Sequence, residues 1–231
     1  MSIRVITFDL DDTLWDVKPA LERAEAAQRA WLLRHRPRTL EAIGPEEHRE
    51  LRKRVWRSNA TLTHNVTAMR KLLLRELQLA AGYSSADAEA GANAAFASFI
   101  EERQRVELHA NALTVLDVLA RSCRLGALTN GNADVYKTDA GEYFEFALLA
   151  EEVGASKPAA DMFLAALELT GVAADEVLHV GDSVEHDVLG ALGVGMRAAW
   201  LNPEGHDWTH DARPDALIRS LDELPDLLKR L

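Results

Sequence analysis

The segment Thr7-Phe8-Asp9-Leu10-Asp11-Asp12-Thr13-Leu14-Trp15 sets three carboxylates within four residues, directly after the apolar run 5–8. Like charges raise one another's pKa and resist burial, so such a cluster at the end of a buried strand needs either a cation beside it or a reaction that uses it. Asp9 and Asp11 stand two apart, which in extended backbone puts both on one side. Three later segments carry complementary chemistry. Leu128-Thr129-Asn130-Gly131-Asn132 offers a hydroxyl, backbone N–H groups and a glycine that lets an anion come close to the main chain. Ser156-Lys157-Pro158 offers a point positive charge. Gly181-Asp182-Ser183-Val184-Glu185-His186-Asp187 offers further carboxylates.

These segments need a scaffold that brings them together. Short apolar runs with β character occur at 5–8, 125–128, 144–149, 177–180 and 197–201, with helical patterns at 112–122, 159–169 and 184–192. That alternation predicts an α/β fold, a Rossmann-like parallel sheet with helices on both faces. Ligands of such sheets bind at the carboxyl ends of the strands, where the four polar segments fall. Gly171, Gly193 and Gly195 follow helical patterns at positions where C-terminal caps are expected. The stretch 16–106 differs: it is rich in Ala, Leu, Arg and Glu, as at 21–34 and 46–57, and Pro37, Gly44-Pro45 and Gly82 divide it into helices. It reads as an inserted all-helical domain, leaving 1–15 and 107–231 as the sheet domain. The tail reads as a loop at 211–214 and a closing helix at 217–231.

Composition narrows the class. The chain has 231 residues, 48% hydrophobic and 27% charged, with a net charge of −11. This acidic balance argues against a nucleic-acid partner, though not against a small phosphorylated ligand in a locally positive pocket. The single cysteine, Cys123, excludes an intrachain disulfide. A strand pattern stands where a signal peptide would, and no uncharged stretch approaches the roughly 20 apolar residues of a membrane span. The expectation is a cytoplasmic protein with no membrane partner; the oligomeric state is not legible.

The four segments, in this order and βα context, resemble the motifs of the haloacid dehalogenase superfamily, with the helical insertion at the position of that family's cap. The resemblance implies that Asp9 is a nucleophile that forms an aspartyl-phosphate. It makes Asp11 the general acid and base for the leaving oxygen and the attacking water. Magnesium, a hard cation, would take Asp9, the Asp11 carbonyl and Asp182 as ligands, with Asp187 in the outer shell or orienting Lys157. Thr129, Asn130 and Gly131 would hold phosphate oxygens, and Lys157 would stabilise the transferring group.

Other residues have plainer readings. Asp12 and Thr13 suit the turn that leaves the strand. Asn132 is either a turn residue or a site wall. His179, within an apolar run, reads as a hydrogen-bonded core residue and His186 as solvated. Trp15 and Trp56 read as core rather than as a wall on which substrate stacks. The Arg and Glu pairs of the insertion read as solvated helix faces.

Asp11 also separates branches of the superfamily. Halide leaves without protonation, so an acid two residues after the nucleophile favours phosphoryl transfer over dehalogenation. Phosphonate hydrolysis would need a cap lysine, and nothing singles out Lys53 or Lys71. The stretches Thr63-His64-Asn65-Val66-Thr67-Ala68-Met69-Arg70 and Gly141-Glu142-Tyr143-Phe144-Glu145-Phe146, with the Thr129 segment, resemble a branch of bacterial phosphatases. Members of that branch act on flavin mononucleotide and on the phosphorylated pyrimidine of riboflavin synthesis. The resemblance implies a small-molecule phosphate ester as substrate, with His64, Thr67 and Arg70 facing it from the cap. The rival readings are a 2-haloacid dehalogenase, a phosphomutase, and a non-catalytic binding protein on the same fold.

Overall fold

The computed structural model describes residues 2–231. They form two compact units, one made of the chain up to Val17 with Val106–Leu231 and the other of Lys18–Arg105.

The first unit is a six-stranded, all-parallel sheet of β1 (Val5–Phe8), β2 (Arg124–Thr129), β3 (Phe146–Leu149), β4 (Val177–Gly181), β5 (Arg197–Leu201) and β6 (Ala216–Ile218), in the order β3-β2-β1-β4-β5-β6. The side chains alternate between two cores, as the two-residue period of a strand requires. Ile6, Phe8, Leu125, Ala127, Leu178, Val180 and Ala199 pack with Val115, Leu116 and Leu119 of the helix Ala112–Ala120. Val5, Leu128, Phe146, Val177, Ala198 and Trp200 pack instead with Met162, Phe163 and Ala166 of the helix Ala160–Thr170. Helices therefore cover both faces, as an all-parallel sheet demands. The sheet grows outward from β1 in both directions. This strand order opens a crevice at the carboxyl ends of β1 and its neighbours.

Several boundaries differ from the sequence reading. The tail is not one helix: it gives the edge strand β6, a 3₁₀ turn at Leu221–Glu223 and a short helix at Leu224–Leu228. β6 has only three residues, too few to show a period. Its alignment comes from Asp215, whose N–H donates to the Ala198 carbonyl and whose carboxylate accepts from the Ala198 N–H, both at 2.9 Å. The run 144–149 becomes a strand only from Phe146, because Gly141–Tyr143 closes a 3₁₀ turn first. The pattern at 184–192 divides into a π-helical turn, Val184–Leu189, and the helix Gly190–Gly193. Gly193 is thus the last helical residue rather than a cap, whereas Gly171 (φ 67°) and Gly195 (φ 81°) take the left-handed conformation.

The second unit holds the helix Val17–His35 from its second residue on, the helices Arg38–Glu41, Pro45–Ser58, Val66–Ala80 and Ser85–Arg103, and no strand among the described residues. Side-chain caps start two of them: Asn65 accepts from the Ala68 N–H at 2.7 Å and Ser84 from the Asp87 N–H at 3.1 Å. One apolar cluster joins Ala24, Leu32, Leu74, Ala95, Phe96 and Phe99, and another joins Leu51, Val55, Met69 and Leu77. Trp56 packs against the second, in keeping with a core role. No helix of the described residues is long and apolar enough to cross a membrane.

Candidate active site

The end of β1 delivers Asp9. Its N–H donates to the Val180 carbonyl at 2.9 Å, carrying the ladder to β4 one residue past the strand. The chain then turns sharply. Asp12 sits in the left-handed region (φ 60°), its N–H donates to the Trp15 carbonyl at 2.8 Å, and its carboxylate accepts from the Val17 N–H at 3.0 Å. A short polar side chain tolerates that conformation better than most, which accounts for Asp12 as a turn residue.

Lys157 lies at the centre, almost fully buried. Its Nζ donates to Asp9 Oδ1 at 2.7 Å and to Asp187 Oδ1 at 2.6 Å. Its backbone is clamped by the Asn130 side chain, which accepts from the Lys157 N–H at 2.8 Å and donates to the Lys157 carbonyl at 2.9 Å. The sequence reading used only the Asn130 main chain; the side chain has this second, positioning use. At the end of β2 the Gly131 N–H donates to Thr129 Oγ1 at 3.0 Å. The Thr129 hydroxyl keeps its own hydrogen to donate.

Behind Lys157 runs a chain of buried polar groups. Thr7 Oγ1 meets His179 Nδ1 at 2.8 Å, and His179 Nε2 meets Asp187 Oδ1 at 3.2 Å. Thr7 and His179 are opposite residues of β1 and β4, so the strand register itself builds this pair. Asp187 Oδ2 accepts from the Ser183 N–H at 3.0 Å. Gly181 makes room for it: a Cβ there would lie 2.3 Å from the Asp187 carboxyl carbon.

Burial sets the electrostatics, because it disfavours charge. It pushes the Asp9 carboxyl up to about 8 against the pull of Lys157, with Asp187 adding to the rise. Asp182 is pushed up to about 6, by burial first and then by Asp187 and Asp12. Burial is the largest influence on Asp187 and Lys157 and opposes ionisation of both, but their mutual attraction, joined by His179 at Asp187 and by Asp9 at Lys157, outweighs it, holding the first below the usual carboxylate range and the second above the usual lysine value. His179 is held low by burial and so stays neutral near pH 7.

A cavity of about 300 Å³ opens here, lined among others by Asp9, Asp11, Thr129, Asn130, Lys157 and Asp182. Carboxylate oxygens of Asp9, Asp182 and Asp187 lie within 4.8 Å of one another. An all-oxygen donor set of this kind fits a hard divalent cation rather than a thiophilic one. Asp187 is the least suited of the three to ligate, since Lys157, His179 and the Ser183 N–H already occupy its oxygens. Its position is that of the residue that fixes Lys157.

Three residues gain contacts that sequence reasoning missed. Trp15 is fully buried, and its indole Nε1 donates to Asp11 Oδ1 at 2.8 Å. Thr13, also buried, donates to Asp182 Oδ1 at 3.4 Å, so it reaches beyond the turn. Trp200 Nε1 donates to the Asp182 carbonyl at 2.8 Å. The four-residue spacing of Asp11 and Trp15 was a visible signal for the first. Asn132 is buried, whereas His186 is exposed on the cavity rim.

His64, Thr67 and Arg70 belong to the helical unit. His64 precedes the cap of the helix Val66–Ala80, which carries Thr67 and Arg70. Arg70 is not simply solvated: its guanidinium carbon stands 3.7 Å from the centroid of the Phe99 ring, and it pairs with Glu25 at 3.8 Å.

A family model described as haloacid dehalogenase-like hydrolase matches residues 3–195. The 5-amino-6-(5-phospho-D-ribitylamino)uracil phosphatase YigB of Escherichia coli (strain K12) is 37% identical over 98% of this chain and 96% of its own. A phosphoserine phosphatase of Thermus thermophilus is 35% identical over 55% of this chain and 53% of its own. The crystal structure of a 2-haloacid dehalogenase from Pseudomonas syringae pv. Tomato DC3000 is similar at a TM-score of 0.94 and 41% identity, covering 99% of each chain.

Proposed function

The chain belongs to the haloacid dehalogenase-like hydrolases, and from that premise we propose that it is a magnesium-dependent phosphomonoesterase working through an aspartyl-phosphate on Asp9. The observation that carries this reading is the Asp11 carboxylate in the same cavity as Asp9, Thr129 and Lys157. An alkoxide leaving group needs a proton, and a halide does not. A second carboxylate beside the nucleophile therefore serves ester cleavage and has no task in dehalogenation.

In this reading an Asp9 carboxylate oxygen bonds phosphorus while the bond to the ester oxygen breaks, and Asp11 protonates that oxygen. Asp11 then takes a proton from water as the water oxygen bonds phosphorus and the bond to Asp9 breaks. Lys157 neutralises Asp9 and the phosphoryl oxygens, held in place by Asp187 and Asn130. The Thr129 hydroxyl and the adjoining main chain receive the remaining oxygens. Asp9 and Asp182 are the side chains that would hold magnesium, with the Asp11 carbonyl as a further ligand. When bound, the ion supplies positive charge to the phosphoryl group and offsets the repulsion among these carboxylates.

The name of the 37% identical phosphatase and the stretches at His64 and Gly141 support the pyrimidine phosphate of riboflavin synthesis or flavin mononucleotide as substrate, and in this reading His64, Thr67 and Arg70 serve its recognition. The 2-haloacid dehalogenase is the second reading, and the 41% identical structure bearing that name keeps it open to test. Phosphate release from a panel of flavin, sugar and nucleotide esters, with and without magnesium, is measured beside chloride release from a 2-haloacid. Magnesium-dependent phosphate release is expected. Chloride without phosphate would replace the reading by the second, and a bisphosphate requirement would point to a mutase. Release of neither would leave a binding protein on this fold.

A further inference from the structure

Asp11 must present its proton to one side of a transferring phosphoryl group, and a carboxyl on a free rotor presents it to several. We propose that Trp15 is the positioning residue for Asp11, fixing which carboxyl oxygen carries the transferable proton. The inference rests on the acid–base reading of Asp11 above.

The contact is a 2.8 Å hydrogen bond from the indole Nε1 to Asp11 Oδ1. An indole has one N–H and no acceptor, so unlike a hydroxyl, an amide or an imidazole it cannot reverse the direction of the bond. Oδ1 is therefore an acceptor in every protonation state of Asp11. A carbonyl oxygen accepts a hydrogen bond better than a hydroxyl oxygen does, so the indole favours Oδ1 as the carbonyl and the hydrogen of a protonated Asp11 on Oδ2. From Oδ2 it passes to the ester oxygen as the P–O bond breaks, and to Oδ2 a hydrogen returns from the water whose oxygen bonds phosphorus. One face of the carboxyl stays tied while the other does both transfers.

The tie is rigid because the tryptophan is. Its ring is fully buried in the cluster that includes Phe8, Leu10, Leu14 and Ala112. Its carbonyl accepts from the Asp12 N–H at 2.8 Å, and its backbone forms bridges to both Asp11 and Leu108. The same four-residue loop that presents Asp11 is thus closed by the residue that holds its side chain. A buried indole needs some acceptor, and a carbonyl would have satisfied it as well. The use of a carboxylate that lines the cavity distinguishes this contact from ordinary core satisfaction.

The test is leaving-group dependence. Trp15→Phe removes the donor, and 3-benzothienyl-alanine at position 15 replaces the N–H by sulfur in a ring of the same shape, which serves if the phenylalanine variant folds poorly. Magnesium-dependent turnover is measured on an alkyl phosphate, whose alkoxide needs the proton, and on p-nitrophenyl phosphate, whose phenolate leaves without it. The expectation is a fall in kcat/KM of about 10- to 50-fold on the alkyl ester and less than about 3-fold on the aryl ester, since kcat/KM reports formation of the aspartyl-phosphate and leaves out the water step that both esters share. In an Asp11→Asn background the Trp15 change should add nothing on the alkyl ester, because both act on one step. Equal losses of kcat/KM on the two esters, additive losses in the double variant, or full alkyl activity in the benzothienyl protein would each overturn the proposal. If the unmodified enzyme hydrolyses neither ester, the phosphatase reading itself fails and this proposal with it.

Discussion

The sheet unit and the helical unit use the same ionisable residue types in opposite ways. At the rim of the sheet, Lys157 and Asp187 meet at 2.6 Å with side chains 1% and 2% exposed. In the helical unit, Lys53 and Glu50 meet at 2.7 Å with 59% and 57% exposed. Nearly equal distances conceal different energetics. The exposed pair gains little, because water solvates both charges and salt screens them. The buried cluster is costly to assemble and worse to break, since removing one partner strands a charge and costs about 3–5 kcal/mol. A fold keeps such a cluster where it is used. Arg70 stands between the extremes, half-buried over Phe99 with Glu25 at its edge.

The contrast can be broken by substitution. Asp9→Asn should lower phosphate release by at least about 10³-fold, as loss of a covalent nucleophile does; turnover within tenfold of wild type would remove Asp9 from the chemistry. Lys157→Ala strands the buried Asp187 carboxylate, so it should abolish turnover and lower Tm by about 6–20 °C, at about 2–4 °C per kcal/mol for a chain of this size. An unchanged melting curve would contradict the buried-cluster energetics.

A pH series sharpens the same point without divalent cations. The folded Asp9 carboxyl is raised to about 8 from its ordinary 3.8. The folded chain therefore holds a proton that the unfolded chain has lost, and this stability is present below about pH 4 and disappears as pH rises through 8. With cations chelated, Asp9→Asn should melt above wild type at pH 8, by a few degrees, and the gap should narrow by pH 5 and close toward pH 4. Saturating magnesium should remove most of it. A gap independent of pH would refute the assigned cause.

In the helical unit the effects should be smaller. Arg70→Ala should raise KM for flavin mononucleotide by about 5- to 30-fold and leave p-nitrophenyl phosphate within about 2-fold, in line with loss of one cationic contact; equal effects on both esters would remove the substrate-contact role. Lys53→Ala should change Tm by less than about 1 °C and activity not at all, as expected of an exposed pair.

Legibility in the sequence follows the same division. β1 and β5 occupy the runs read for them, because buried parallel strands leave continuous apolar runs flanked by turn residues. β6 escaped because Leu217 is the centre of only three residues, on an edge, and its pairing depends on Asp215. The four polar segments come to one cavity because their place in the strand order is fixed by the crossovers. What stayed hidden is the support behind them. His179 was legible as a hydrogen-bonded core residue, but its partner Thr7 is set by a strand register that no local pattern reveals. The Asn130 clamp on Lys157 joins residues 27 positions apart, and the Trp15 bond to Asp11 requires a left-handed Asp12 between them.

The central claim is that phosphorus passes through Asp9. Acid quenching during magnesium-supported turnover of a phosphate ester, followed by mass spectrometry of the peptide that contains the Asp9 segment, tests it directly. With p-nitrophenyl phosphate, whose leaving group needs no proton, the account predicts a phosphoryl adduct on Asp9 that accumulates in Asp11→Asn, where the water step is slowed, and is absent in Asp9→Asn. Steady phosphate release with no adduct on that peptide, and with turnover surviving in Asp9→Asn, would contradict it.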